Sequence, residues 1–177
     1  IRLNQEILTR TAEAYRKIRN TARFLLSNLF DFDPATNELA PEALEPVDRL
    51  LVARAALLVA ECRKAYDRFE FHTVARRLRE FATTDLSSLW CDVRKDALFV
   101  LGKDDPARRS AQTAAYRLAE TLALLLHPIC PFTAEEIWEA LPGHEGGTPA
   151  LATWDDLRLA TLSDEAHAAW GRLLDVR

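Results

Sequence analysis

Apolar residues in this chain recur with a period near 3.6, and no long run alternates apolar with polar. Ile7, Thr11, Ala14, Ile18, Ala22, Leu25 and Leu29 fall on one stripe, which predicts a first helix over about 4–29 with Asn4 as its cap. The DFDPATN stretch at 31–37 breaks it through Pro34. A second helix is expected over about 47–67, with Pro46 near its first turn and Leu50, Leu51, Leu57 and Leu58 facing inward. After a short turn, DRFEFH, a third runs over about 72–95 through Leu78, Phe81, Leu86 and Leu89. LGKDDP at 101–106 is a turn, and a fourth helix covers about 107–127, ending at Pro128. In FTAEEIWEAL, Thr133 and Glu136 have capping-box spacing, so a short helix should reach about 141. PGHEGGTP at 142–149 is a loop, and a last helix is expected over 163–176. The pattern predicts an all-α fold, a bundle of four long helices plus one or two short C-terminal helices, forming one domain over 1–177.

Composition agrees. Of 177 residues 49% are hydrophobic and only five are glycine, enough for a core and unlike a disordered chain. No stretch is apolar for long enough to suggest a membrane span, and IRLNQEIL lacks the layout of a signal peptide. The chain contains no methionine, which suggests a piece of a longer protein. Cys62, Cys91 and Cys130 are isolated and odd in number, as expected of free, buried thiols in a reducing compartment.

Charge changes the picture. The formal net charge is -4, yet Arg10, Arg16, Lys17, Arg19 and Arg23 face a single acid, Glu13, over 10–23. At about 100° per residue, Arg16, Arg19, Asn20, Arg23 and Ser27 share one sector, opposite Ile18, Ala22, Leu25 and Leu29. Such a strip is either a solvated helix face or a surface for phosphate or an acidic partner. Few acids are placed for i, i+4 pairs, and arginine suits phosphate because its fork binds two oxygens. A second cluster, Arg76, Arg77, Arg79, Arg94 and Lys95, has acids mixed in and reads first as ordinary helix surface; Lys103, Arg108 and Arg109 would extend it. Six acids and no bases lie in 31–48, read as a surface loop. Trp138 reads as core. Trp90 and Phe99 also read first as core, although exposed aromatics beside cations can stack on unpaired bases.

Sites of catalysis are not evident. There is no GxxxxGK loop, no GxSxG serine, and no His or Cys pair at zinc spacing. No catalytic or metal-binding residue is therefore assigned.

Three stretches carry a resemblance. AYRKIRNTARFLLSNLFDFDP at 14–34, YDRFEFHTVARRLREFATTDLSSLWCDVRKD at 66–96 and HPICPFTAEEIWEALPG at 127–143 resemble, in order and spacing, the bacterial-type isoleucyl-tRNA synthetases. P-F-x-x-E-x-x-W alone would point only to the wider class I group; Y-R-K-I-R-N-T-x-R-F-L-L narrows it. The resemblance covers nearly the whole chain and implies the helical anticodon-binding domain of a cytoplasmic, monomeric enzyme that joins isoleucine to its tRNA using ATP and magnesium. Catalytic and editing domains would precede Ile1, and a zinc-binding tail would follow Arg177. The family's H-I-G-H and K-M-S-K-S signatures are absent, so no ATP site, cofactor or catalysis is expected in this chain. By position, Arg16, Arg19, Asn20 and Arg23 fall on the family's basic first helix, facing tRNA or the catalytic domain. Lys95 matches a lysine that the family places near the anticodon loop, and Arg94 and Lys103 join it by charge. A valyl or other class Ia relative is the neighbouring alternative. A helical docking module without RNA binding is a different reading of the same strip, and a bundle enzyme or cofactor carrier lacks its ligand constellation.

Overall fold

Asn4 caps the first helix, its side chain accepting the Ile7 N–H at 2.8 Å. The computed structural model describes residues 4–161 and Gly171; apart from Gly171, the helix expected at 163–176 lies outside the described residues. The first helix, α1, spans Gln5–Ser27. Pro34 starts a single turn, α2 (Pro34–Asn37), within what the sequence suggested was all loop, and the Asp33 side chain caps it. Next come α3 (Pro46–Asp67), with Pro46 in the first turn, and α4 (Phe71–Glu80). A π-helical segment (Phe81–Trp90) runs without a break into α5 (Cys91–Phe99). The chain then forms α6 (Pro106–Leu126) and α7 (Pro131–Glu139). Among the described residues there is no strand, so the fold is all-α, as the periodicity predicts.

Helix α6 is the axis. It packs against α1, α3, α5 and α7, and its Ala111, Ala114, Ala115, Ala119 and Ala123 let those neighbours approach closely around Leu118, Leu122 and Leu125. Two apolar expectations fail at the edges. Ile7 and Thr11 are exposed, because no described element covers the first turns of α1, and its stripe is buried only from Ile18 onward. Leu57 is also exposed: Leu50, Leu51, Leu58 and Cys62 form the inner face of α3, and Leu57 borders a groove with Arg54 and Arg77. Trp138 lies in the core, as expected, and so does Cys62; Cys91 and Cys130 are half-buried.

The capping box does not form. Cys130 occupies the cap of α7 without a side-chain bond, and Pro131 in the first turn has no N–H to offer. Thr133 and Glu136 instead reach α1: the Thr133 hydroxyl meets the Tyr15 hydroxyl at 2.9 Å, and Glu136 accepts Arg19. In the loop after α7, Gly143 (φ 81°) needs the left-handed region, and a Cβ there would lie 3.1 Å from Pro34.

Buried polar groups cross-link the helices. Asp48 of α3 is wholly buried and accepts the Trp90 indole N–H at 2.8 Å, Arg94 Nη2 at 2.7 Å and the Ser110 hydroxyl at 2.6 Å. Burial pushes its carboxyl above the usual range; the hydrogen bonds and Arg94 pull against that. On the other side of α6, Arg117 is held by Glu38 and by Glu120 at 2.7 Å, and His144 Nε2 lies 3.5 Å from Glu120. Burial raises the Glu120 carboxyl, but hydrogen bonds from His144 and Arg117 outweigh it and hold it below its ordinary 4.5. Such a group stabilises the fold above pH 4.5, and that contribution disappears as pH falls through the lowered value.

Two stability measurements follow. Asp48→Ala takes from the buried Arg94 its one buried carboxylate, leaving it the exposed Glu45 and Ala107 O, and should cost about 3–5 kcal/mol in urea unfolding at pH 7. Glu120→Gln should shrink the loss of stability that the unsubstituted chain shows on acidification below about pH 4.5, with Asp31, also lowered, accounting for part of the remainder. An unchanged pH slope would show that Glu120 does not carry that dependence.

Candidate nucleic-acid interface

The charged strip of α1 is where the wheel places it. Arg16, Asn20 and Arg23 are exposed on the side away from the buried Ile18, Ala22 and Leu25. Among the described residues neither Arg16 nor Arg23 has an acidic partner. Arg19 differs: Glu136 of α7 holds it, and the hydrogen bond it donates to that carboxylate raises its pKa further. The strip is thus pinned to α7 at one point and left open on both sides.

Beside it runs a groove of about 460 Å³ between α1 and the π segment. Lys17, Asn20 and Phe24 form one wall, and Thr83, Ser87 and Ser88 the other. The second wall belongs to the π segment, whose backbone bonds run i→i+5. The Cys91 N–H reaches back five residues to Leu86 O, and the Ser88 hydroxyl donates to Thr83 O at 2.8 Å. Thr21 of α1 shares its one hydroxyl proton between Lys17 O of its own helix at 3.0 Å and, across the interface, Ala82 O at 3.2 Å. The sequence reading of one regular helix missed this segment; the polar run TTDLSS was its only signal.

Helix α5 carries the remaining residues apart. Lys95 is exposed and its ammonium donates to Asp92 at 2.9 Å, a hydrogen bond that raises its pKa. It follows Cys91 by one turn, so it lies on the flank that borders the groove. Lys103, in the turn before α6, is exposed. Arg94 has to be withdrawn from the surface set: it is 7% exposed, bound to Asp48, Glu45 and Ala107 O. Arg108 and Arg109 do not extend the patch either. Arg108 donates to Leu98 O and Asp31, and Arg109 to Asp31 O and Gln112. In the second cluster Arg76 and Arg77 are paired with Glu80 and Glu61. Trp90 is buried on Asp48, whereas Phe99 is exposed, against the first expectation.

The open cations of α1 thus share their helix with one wall of the polar groove, and Lys95 stands one turn beyond Cys91, which lines it. Residues 48–175 match the family model for the anticodon-binding domain of tRNA ligases. The chain belongs to that family. It is 47% identical over 174 residues to an isoleucine–tRNA ligase of Alkalilimnicola ehrlichii, covering 97% of this chain and 18% of the relative. It is 44% identical to one of Thioalkalivibrio sulfidiphilus (99% and 19%) and 40% identical to isoleucine–tRNA ligase 1 of Oceanobacillus iheyensis (100% and 19%). The chain thus spans about a fifth of the length of the curated relatives it matches. The family-model match begins at Asp48, so α1 and its strip lie outside it, while the likeness to the isoleucine relatives includes them. No helix among the described residues is long and apolar enough to cross a membrane.

Thr21→Val keeps the shape of the side chain but leaves Ala82 O without its cross-helix donor. It should lower stability by about 1–3 kcal/mol in urea unfolding, with faster amide exchange in the π segment. Unchanged exchange there would show that the segment does not depend on α1.

Proposed function

We propose that this domain binds the anticodon stem-loop of an isoleucine tRNA and so positions that tRNA for the ligase to which the domain belongs. The observation that carries this is the strip of α1: in an acidic protein of an anticodon-binding family, Arg16 and Arg23 stand exposed beside a polar groove with no acidic partner among the described residues. Cations so placed neutralise phosphates and release counterions, which gives affinity and strong salt dependence without reading sequence. Discrimination between tRNAs then has to come from splayed loop bases, and Lys95 and Lys103 on the neighbouring flank are the cations nearest that task. The likeness to proteins named isoleucine–tRNA ligases supports isoleucine tRNA, not its valine counterpart, as the partner.

The ligation of isoleucine, with ATP and magnesium, belongs on this reading to parts of the longer protein outside this chain, and the domain itself is non-catalytic. Zinc belongs, on the same reading, to a tail of the longer protein, and no cofactor is assigned to the domain itself. A second contact is favoured by the exposed Ile7, Leu8 and Tyr15 on the early turns of α1. That end suits an apolar neighbour better than RNA, and we assign it to the catalytic domain of the same chain, in a cytoplasmic monomer.

The test is a salt series of binding to isoleucine tRNA. The doubly substituted Arg16→Ala, Arg23→Ala chain should bind more weakly, and its log–log salt slope should shrink by about 1.5–2, for two lost phosphate contacts. An unchanged slope would transfer the strip to protein docking. Lys95→Ala in the complete enzyme should impair tRNA use while leaving isoleucine activation intact.

A further inference from the structure

One end of the bundle is aromatic and uncovered. Phe99, the last residue of α5, is 63% exposed, and Phe30, just past α1, is 81% exposed. Val100 beside them is also exposed. The two rings are not loose. Phe99 meets the half-buried Phe24 edge-on, with centroids 5.9 Å apart and planes at 84°. The guanidinium of Arg108 sits 5.6 Å from the Phe30 ring centre, and that guanidinium is itself fixed by Leu98 O and Asp31. Rigid aromatic faces open to solvent contribute nothing to the core and mark a contact site.

We infer that Phe99, with Phe30 beside it, is a stacking platform for unpaired bases of an RNA loop. This rests on the anticodon stem-loop reading and says where the bases go. Phe24 both lines the α1 groove and supports Phe99, so a strand following the groove arrives at the platform. Cations frame it: Arg23 precedes Phe24 on α1, Lys95 precedes Phe99 by one turn on α5, and Lys103 follows it in the turn. Nearby acids are partly taken up. Asp31 accepts Arg108 and Gln112, Asp92 accepts Lys95, and Asp105 caps α6 through the Ala107 N–H. Asp96 and Asp104 stay on the outer rim and disfavour phosphate there. Phosphates are therefore held on the α1 side, and the neutral, flat bases turn toward Phe99. Stacking accepts any base, so the platform holds the loop splayed and leaves discrimination to polar neighbours.

The probe is a hairpin with the sequence of an isoleucine tRNA anticodon arm, carrying 2-aminopurine at each loop position in turn. Binding to the unsubstituted chain should quench at least one position. Phe99→Ala should abolish that quenching and weaken binding by roughly one to two orders of magnitude, with the salt slope unchanged. Phe99→Trp should retain both signals, and Phe99→Leu, apolar without a π face, neither. Because Phe99 is largely exposed, all three variants should keep the unsubstituted thermal stability. If the chain binds the hairpin with its salt slope but Phe99→Ala and Phe30→Ala alter neither affinity nor fluorescence, the platform is wrong and the RNA reading stands. If Phe99→Leu retains affinity as well as Phe99→Trp, the patch is merely apolar and the platform is wrong. If the unsubstituted chain does not bind the hairpin even at low salt, the RNA reading fails and the platform with it.

Discussion

Asp48 has no contact with solvent, and a carboxylate in that position is tolerable only when its oxygens are fully met. The three donors that meet it come from the π segment, α5 and α6, so one side chain of α3 ties four helical elements together. The consequence reaches the surface. Trp90 and Arg94 are four residues apart and both must point at Asp48, which fixes the rotation of α5 about its own axis. With those two inward, Cys91, Lys95 and Phe99 are carried to the flank beside α1. The candidate RNA-facing side of α5 is therefore set by the need to satisfy a buried acid, not by any contact on that side.

The same bookkeeping of charge explains why an acidic chain leaves cations uncovered. The acids of 31–48 read as a surface loop, yet four of the six are taken up by arginines of α5 and α6. Asp31 takes Arg108, Glu38 takes Arg117, and Glu45 and Asp48 take Arg94. Apart from the exposed Glu45, these pairs take both partners largely out of water, so each is a device for joining the loop to α5 and α6 in one register more than a source of net stability. Their acids are then not free to neutralise α1. Net charge is a property of the whole chain, whereas a phosphate meets only the local excess.

Helices and their ends were legible because their causes are local: Asn4, Pro46 and Pro106 act within one turn, and apolar period survives any packing. The fate of individual arginines was not. Arg94 and Lys95 are adjacent and alike in charge, but 100° of helix separates a buried ion pair from a solvated one, and only the position of Asp48, 46 residues away, decides which is which. The capping box failed for a similar reason. Thr133 and Glu136 have the right spacing, but Tyr15 and Arg19 on α1 compete for the same atoms and hold them. Burial of the α1 stripe began at Ile18, not Ile7, because periodicity shows which face is apolar and not whether anything lies against it.

The π segment is where these strands meet. Its carbonyls bond five residues ahead, and Ala82 O also accepts from Thr21 of the very helix that carries the arginines. The groove and the strip are thus coupled through one hydrogen bond across their shared floor. Strip and groove can act as one surface only if α1 keeps its register on the π segment. The buried Ile18, Ala22 and Leu25 supply the adhesion for that, and Thr21 supplies the register, since an apolar stripe alone allows a helix to rotate slightly where a directed hydrogen bond does not. An RNA backbone lying on α1 would then feel the geometry of the π segment without touching its main chain.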